Sequence, residues 1–189
     1  MEGMAMDLIL WRHAQAHVLL PEVPAAGRGD AAGDAQGHVM REAEDEAANF
    51  IDPALDLART LTTKGERQAE RMAHWLNQRL PESTRILVSP AQRTQQTAMA
   101  LGRSFKTVPS LNPHASVDDL LAAARWPRSR DAVLIVGHQP TLGLLAARLL
   151  TGQDQPWSVR KGAVWWLRSR EREGGHQVTL QAVQAPDFL

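Results

Sequence analysis

Arg12 and His13 stand directly after the apolar run "DLILW" (7–11). Gly137 and His138 follow a second run, "AVLIV", and Arg93 comes shortly after a third, "ILV" followed by Ser89 and Pro90. A neutral imidazole can attack phosphorus and form a phosphohistidine that water later hydrolyses. A second imidazole can bond an equatorial oxygen as charge redistributes. Guanidinium groups grip phosphate oxygens in pairs and stay charged at any relevant pH. Two histidines and two arginines brought together therefore suit a phosphoryl group. That chemistry calls for no carboxylate ligand set, no metal and no other cofactor.

Elements that would position these residues are legible around them. "DLILW" (7–11), "TRILVSP" (84–90) and "AVLIVGH" (132–138) are short aliphatic runs, as expected of strands buried on both faces. The residues 62–80 carry Ala69, Met72, Ala73, Leu76 and Leu80 on one helical stripe. Helices are also predicted over 91–104, over 116–125 with Ser116 as N-cap, and over 141–150, entered through Pro140. "AVWWLRS" (163–169) and "HQVTLQAV" (176–183) alternate around "REGG" and predict a closing hairpin. Strands alternating with helices predict an α/β fold with a mostly parallel central sheet. In such sheets ligands bind beyond the carboxyl ends of the strands. Three strands then deliver His or Arg to one edge, where two helix N-termini favour an anion.

Length and composition fit a single domain over 1–189 with an ordinary core. Lys plus Arg and Asp plus Glu both number 21, so no global field draws the chain to nucleic acid or an anionic membrane. There is no cysteine, which excludes a disulfide scaffold, a thiolate nucleophile and Cys-ligated metal centres. The N-terminal "MEGMAMDLIL" lacks the basic start of a signal peptide, and no run approaches the ~20 apolar residues of a membrane span. A cytoplasmic location is expected. Residues 21–49, rich in Ala, Gly and acidic side chains, read as an insertion: a loop, then a short amphipathic helix. Its "RGD" is a chance match.

In order, "WRHAQA", "LTTKGERQA", "VSPAQRTQQTA" and "VGHQP" resemble the signature blocks of the histidine phosphatase superfamily, in particular its short, SixA-like phosphohistidine phosphatase branch. The resemblance covers nearly the whole chain outside 21–49. It implies a three-layer α/β/α, phosphoglycerate mutase-like fold. It makes His13 the nucleophile, Arg12 and Arg93 the phosphate clamp and His138 the second imidazole. Arg59, in "ARTLTTKG", matches an arginine of the short branch and would contact phosphate or substrate. Two departures stand out. Ala14 occupies a position where many relatives have Gly, so it is expected at negative φ. The glutamate general acid of larger relatives has no counterpart in "SFKTVPSLNPHASVDD".

An alkoxide leaving group needs a proton from an acid, whereas an imidazole leaves from phosphohistidine readily. The sequence therefore favours a phosphatase acting on phosphohistidine in a protein. A small phosphate monoester is the other substrate considered, with the acidic stretch Glu42 to Glu46 as a lid-borne acid. A phospho-ligand-binding module without turnover and a His-metal hydrolase also stay open. The latter is disfavoured because no Asp or Glu adjoins the three strand ends. His17, His38, His114 and His176 read as ordinary polar residues, with His114 the nearest to the expected site. "REAEDE" reads as a solvated face. Trp165 and Trp166 point to opposite faces of one strand, so at least one belongs to the core.

Overall fold

The computed structural model describes residues 5–19, 52–172 and 175–189. Both the insertion at 21–49 and the candidate acids Glu42 to Glu46 lie outside them. In chain order the elements are β1 (Ala5–Arg12), α1 (Pro53–Ala58), α2 (Thr63–Asn77), β2 (Arg85–Val88), α3 (Gln92–Met99) and β3 (Lys106–Thr107). They continue with α4 (Val117–Ala124), β4 (Val133–Gly137), α5 (Thr141–Thr151), β5 (Val164–Arg172) and β6 (Gly175–Gln184). One six-stranded sheet runs β3-β2-β4-β1-β5-β6. The first four strands are mutually parallel, and β5 and β6 close the sheet antiparallel.

The aliphatic runs are buried on both faces because consecutive residues feed opposite cores. Leu8, Leu10, Leu87, Val133 and Ile135 point to one side, where α4 and α5 bring Leu120, Leu142 and Leu145. Ile9, Trp11, Ile86, Val88, Leu134 and Val136 point to the other, against Met72, Ala73 and Leu76 of α2 and Ala98 of α3. This period of two on a covered sheet is the three-layer α/β/α architecture. Each fully buried large side chain, such as Leu8 or Ile9, contributes about 1.5–3 kcal/mol relative to exposure. Trp166 joins the second cluster and Trp165 packs against the first, so both indoles serve the core.

Local signals hold at most element ends. Ser116 caps α4 through a reciprocal pair with Asp119. By contrast α3 ends at Met99, short of the expected 104. Gly102 turns into the left-handed region at φ +64°, and the Leu101 and Gly102 N–H groups tighten onto Ala98 and Met99 carbonyls. Helix α1 is absent from the sequence expectation. It buries none of its residues, so it has no apolar stripe to read.

Candidate active site

Three adjacent parallel strands end at one edge. Arg12 pairs in register with Gly137, and the His13 N–H bonds the Gly137 carbonyl at 3.1 Å. The Ser89 N–H bonds the Val136 carbonyl in the same way. His13 and His138 thereby come side by side, with ring centroids 5.3 Å apart and planes tilted by 54°. Arg93 arrives from the first turn of α3, whose N-cap position takes no side-chain bond. Arg12, His13, Arg59, Arg93 and His138, the five residues expected from sequence, all line one cleft of about 500 Å³. His114, Gln139 and Lys161 line it too.

The loop before β5 fixes the end of β1. Arg12 Nη1 donates to the Val159 carbonyl at 2.7 Å, Trp11 Nε1 to the Gly162 carbonyl at 2.9 Å, and the Gly162 N–H to the His13 carbonyl at 3.0 Å. On the other side the "LTTKG" block docks the residues after His13. The Thr62 N–H bonds the Gln15 carbonyl, Gln68 accepts from the Gln15 N–H, and the Ala14 N–H donates to Thr97. Gly65 is required there: a Cβ would fall 1.9 Å from the Gln15 carbonyl oxygen. Ala14 stays out of the left-handed region, as expected, and is fully buried.

Both imidazoles are buried rather than exposed, at 7% for His13 and 6% for His138. His13 Nδ1 lies 2.7 Å from the Ala14 carbonyl. A carbonyl only accepts, so Nδ1 carries the proton and Nε2 keeps a free lone pair. Burial pushes the His13 pKa down to about 3, and Arg93, Arg12 and Arg59 add to the effect against the Ala14 bond. Burial likewise takes His138 down to about 2, with the charges of His13 and Arg93 contributing. His138 Nδ1 faces Arg93 Nη2 at 3.4 Å and so accepts; its Nε2 donates to the buried Ser89 Oγ at 2.7 Å. Arg12 Nε and Arg93 Nε are buried with no partner among the described residues, two N–H donors available to phosphoryl oxygens.

Asp56 corrects the expectation that no carboxylate adjoins the strand ends. It sits on α1, after the N-cap Asp52 and Pro53, and lines the same cleft. Its Oδ2 accepts from Arg93 Nη2 and its Oδ1 from Arg59 Nη1, both at 2.9 Å. Arg59 is anchored further by Nε donating to the His17 carbonyl at 2.7 Å. Burial alone would raise the Asp56 carboxyl, but the bonds and charges of Arg93 and Arg59 outweigh it and hold it below its usual range. Two local signals mark Asp56 in the sequence: "DP" as a helix start and an Asp–Arg pair at i,i+3. Among the described residues no group of three or more His, Asp or Glu side chains is arranged to hold a metal ion.

Residues 8–116 match the model of the histidine phosphatase superfamily, branch 1. The chain belongs to the histidine phosphatase superfamily. The matched span contains Arg12, His13, Arg59 and Arg93, with His138 beyond it. This histidine phosphatase is 34% identical over 115 residues to the phosphohistidine phosphatase SixA of Escherichia coli K12, covering 56% of this chain and 71% of that one. It is similar to the structure of the protein histidine phosphatase SixA complexed with tungstate, at 25% identity and a TM-score of 0.62 over 97% of this chain and 99% of that one. A mycobacterial glucosyl-3-phosphoglycerate phosphatase shares the fold at 16% identity and a TM-score of 0.55, covering 94% of this chain and 98% of that one. The activity class is that of a phosphatase; no helix among the described residues is long and apolar enough to cross a membrane.

Proposed function

We propose that this histidine phosphatase hydrolyses phosphohistidine on a protein, through a phosphohistidine of its own at His13 Nε2. The lone pair of Nε2 attacks phosphorus in line, a new N–P bond forms, and the N–P bond to the substrate imidazole breaks. The leaving imidazole departs neutral by carrying a ring proton. Arg12 and Arg93 take the equatorial oxygens, and Arg59 extends the clamp. His138 contacts the same oxygens as its other neutral tautomer, with the proton on Nδ1 and Nε2 accepting from the Ser89 hydroxyl. Water then attacks phosphorus, the P–Nε2 bond breaks, and His13 returns to its neutral form with inorganic phosphate released. Charge neutralisation comes from the arginines, so the reading includes no metal.

The observation that carries this choice of substrate is the state of Asp56. It lines the cleft, yet both its oxygens are engaged by arginines that keep it ionised. An ionised carboxylate has no proton to give an alkoxide, which a monoester requires. A phosphoramidate bond needs less help. The similarity to SixA supports the same substrate class. A cytoplasmic location is part of the same reading.

Turnover of a phosphohistidine protein, set against a panel of phosphate monoesters, tests this directly. The N–P substrate should be preferred by roughly the 10²–10⁴-fold that general acid catalysis is worth. Rapid mixing with labelled substrate should give an acid-labile, alkali-stable phosphoenzyme that His13→Ala cannot form. Activity should survive exhaustive chelation. Faster turnover of monoesters would move the assignment to a small-molecule phosphatase. A correctly folded chain with no phosphoenzyme would leave only a binding module.

A further inference from the structure

Four basic side chains line the cleft, Arg12, Arg59, Arg93 and Lys161, and among the described residues Asp56 is its one carboxylate. Helix α1 buries none of its residues, so no buried apolar face anchors Asp56. Its position comes from charge. Arg93 Nη1 donates to its main-chain oxygen, Arg93 Nη2 to Oδ2 and Arg59 Nη1 to Oδ1. An entering phosphate meets the same two guanidinium groups, already partly neutralised, with a negative charge beside them.

Four cations around a phosphoryl group bind substrate and product alike. Binding that is equal in ground and transition states does not speed chemistry, and a phosphate held too tightly makes release the slow step. We propose that Asp56 is the counter-charge that sets how tightly the cleft holds inorganic phosphate, weakening product binding so that the enzyme can turn over. It does this while bridging Arg59 and Arg93, two like charges that would otherwise repel. The role rests on the phosphatase reading above, and it makes Asp56 a determinant of release rather than a proton donor.

Asp56→Asn tests it, since the amide keeps one oxygen acceptor and removes the charge. Inorganic phosphate is titrated calorimetrically into the full chain at pH 7.5, and product inhibition and kcat are measured in parallel. A unit charge a few ångströms away in a partly screened site predicts about tenfold tighter phosphate binding. The product-inhibition constant should fall by the same factor, with a lower kcat. Arg59→Gln should move phosphate affinity in the opposite direction. Asp56→Ser, on the same surface helix, gives a second variant without the charge should the amide fail to fold. Unchanged or weaker phosphate binding by a variant with a native melting curve overturns the inference. Absence of both turnover and a phosphoenzyme in the unsubstituted protein overturns the phosphatase reading beneath it, a result read from the kinetics rather than from the titration.

Discussion

His13 Nδ1 is committed to the Ala14 carbonyl, and His138 Nε2 to Ser89. That leaves His13 Nε2 outside any such bond and His138 Nδ1 facing Arg93, and burial keeps both rings neutral. Their pKa values, about 3 and about 2, lie below the ordinary 6.5. Neither His13 nor His138 should titrate between pH 5 and 8 when followed by NMR. A midpoint near 6.5 at His13 would show that the ring is far more solvated than its burial implies. The same shifts have a sign for stability. Below pH 6.5 the unfolded chain takes up protons that the folded rings refuse, so stability falls as pH drops from 6.5 towards 3. Moving from pH 7.5 to 5.5 should cost about 1 kcal/mol per histidine. Denaturant titrations of wild type and His13→Ala check this, because the variant should lose less over the same interval.

Helix α2 reaches the site without contributing a side chain to the chemistry. Its Gly65 lets the helix press against Gln15, two residues from His13, where any Cβ would overlap the carbonyl oxygen. Gly65→Ala should destabilise the fold by about 1–3 kcal/mol and lower kcat by shifting the Ala14 tether of His13. Unchanged denaturation midpoint and rate would mean that the contact relaxes freely. At this scale the sequence was most legible where burial writes a pattern. Arg12, His13 and His138 follow apolar strands directly, and Arg93 follows Ser89 and Pro90 at the end of another. Helix α4 announced its start through Ser116. Asp56 carried only the local signals of a helix start and an Asp–Arg pair. Its place in the cleft was not legible, because α1 has no buried face and hence no period, and Arg93 lies 37 positions away in the chain. Ser89 was visible at a strand end, but only the fold sets its hydroxyl beneath His138.

The molecule as a whole builds one cleft from six distant stretches: the end of β1, α1 with Arg59, the start of α3, the loop at Pro113 and His114, the end of β4 and the loop before β5. A ligand bridging Arg12, Arg93 and His138 ties these stretches together. Phosphate at a hundred times its dissociation constant should therefore stabilise the fold by about 2.7 kcal/mol. For a chain of this size that raises Tm by roughly 5–10 °C, and a thermal melt with and without phosphate reads it. No shift at saturation would place the anion outside the folded cleft. The strand order carries a consequence for how the protein is made. β1 lies between β4 and β5, and both of its neighbours begin more than a hundred residues downstream of its end. At translation rates of about 5–20 residues per second, "LILW" leaves the ribosome roughly ten seconds before anything can pair with it. Through that interval the nascent chain shows an unpaired strand on its way to becoming the centre of the sheet. Helix α2, whose Met72, Ala73 and Leu76 cover Ile9 and Trp11 in the finished fold, emerges earlier and can shield one face of the strand. Both edges stay unpaired until the second half has been synthesised.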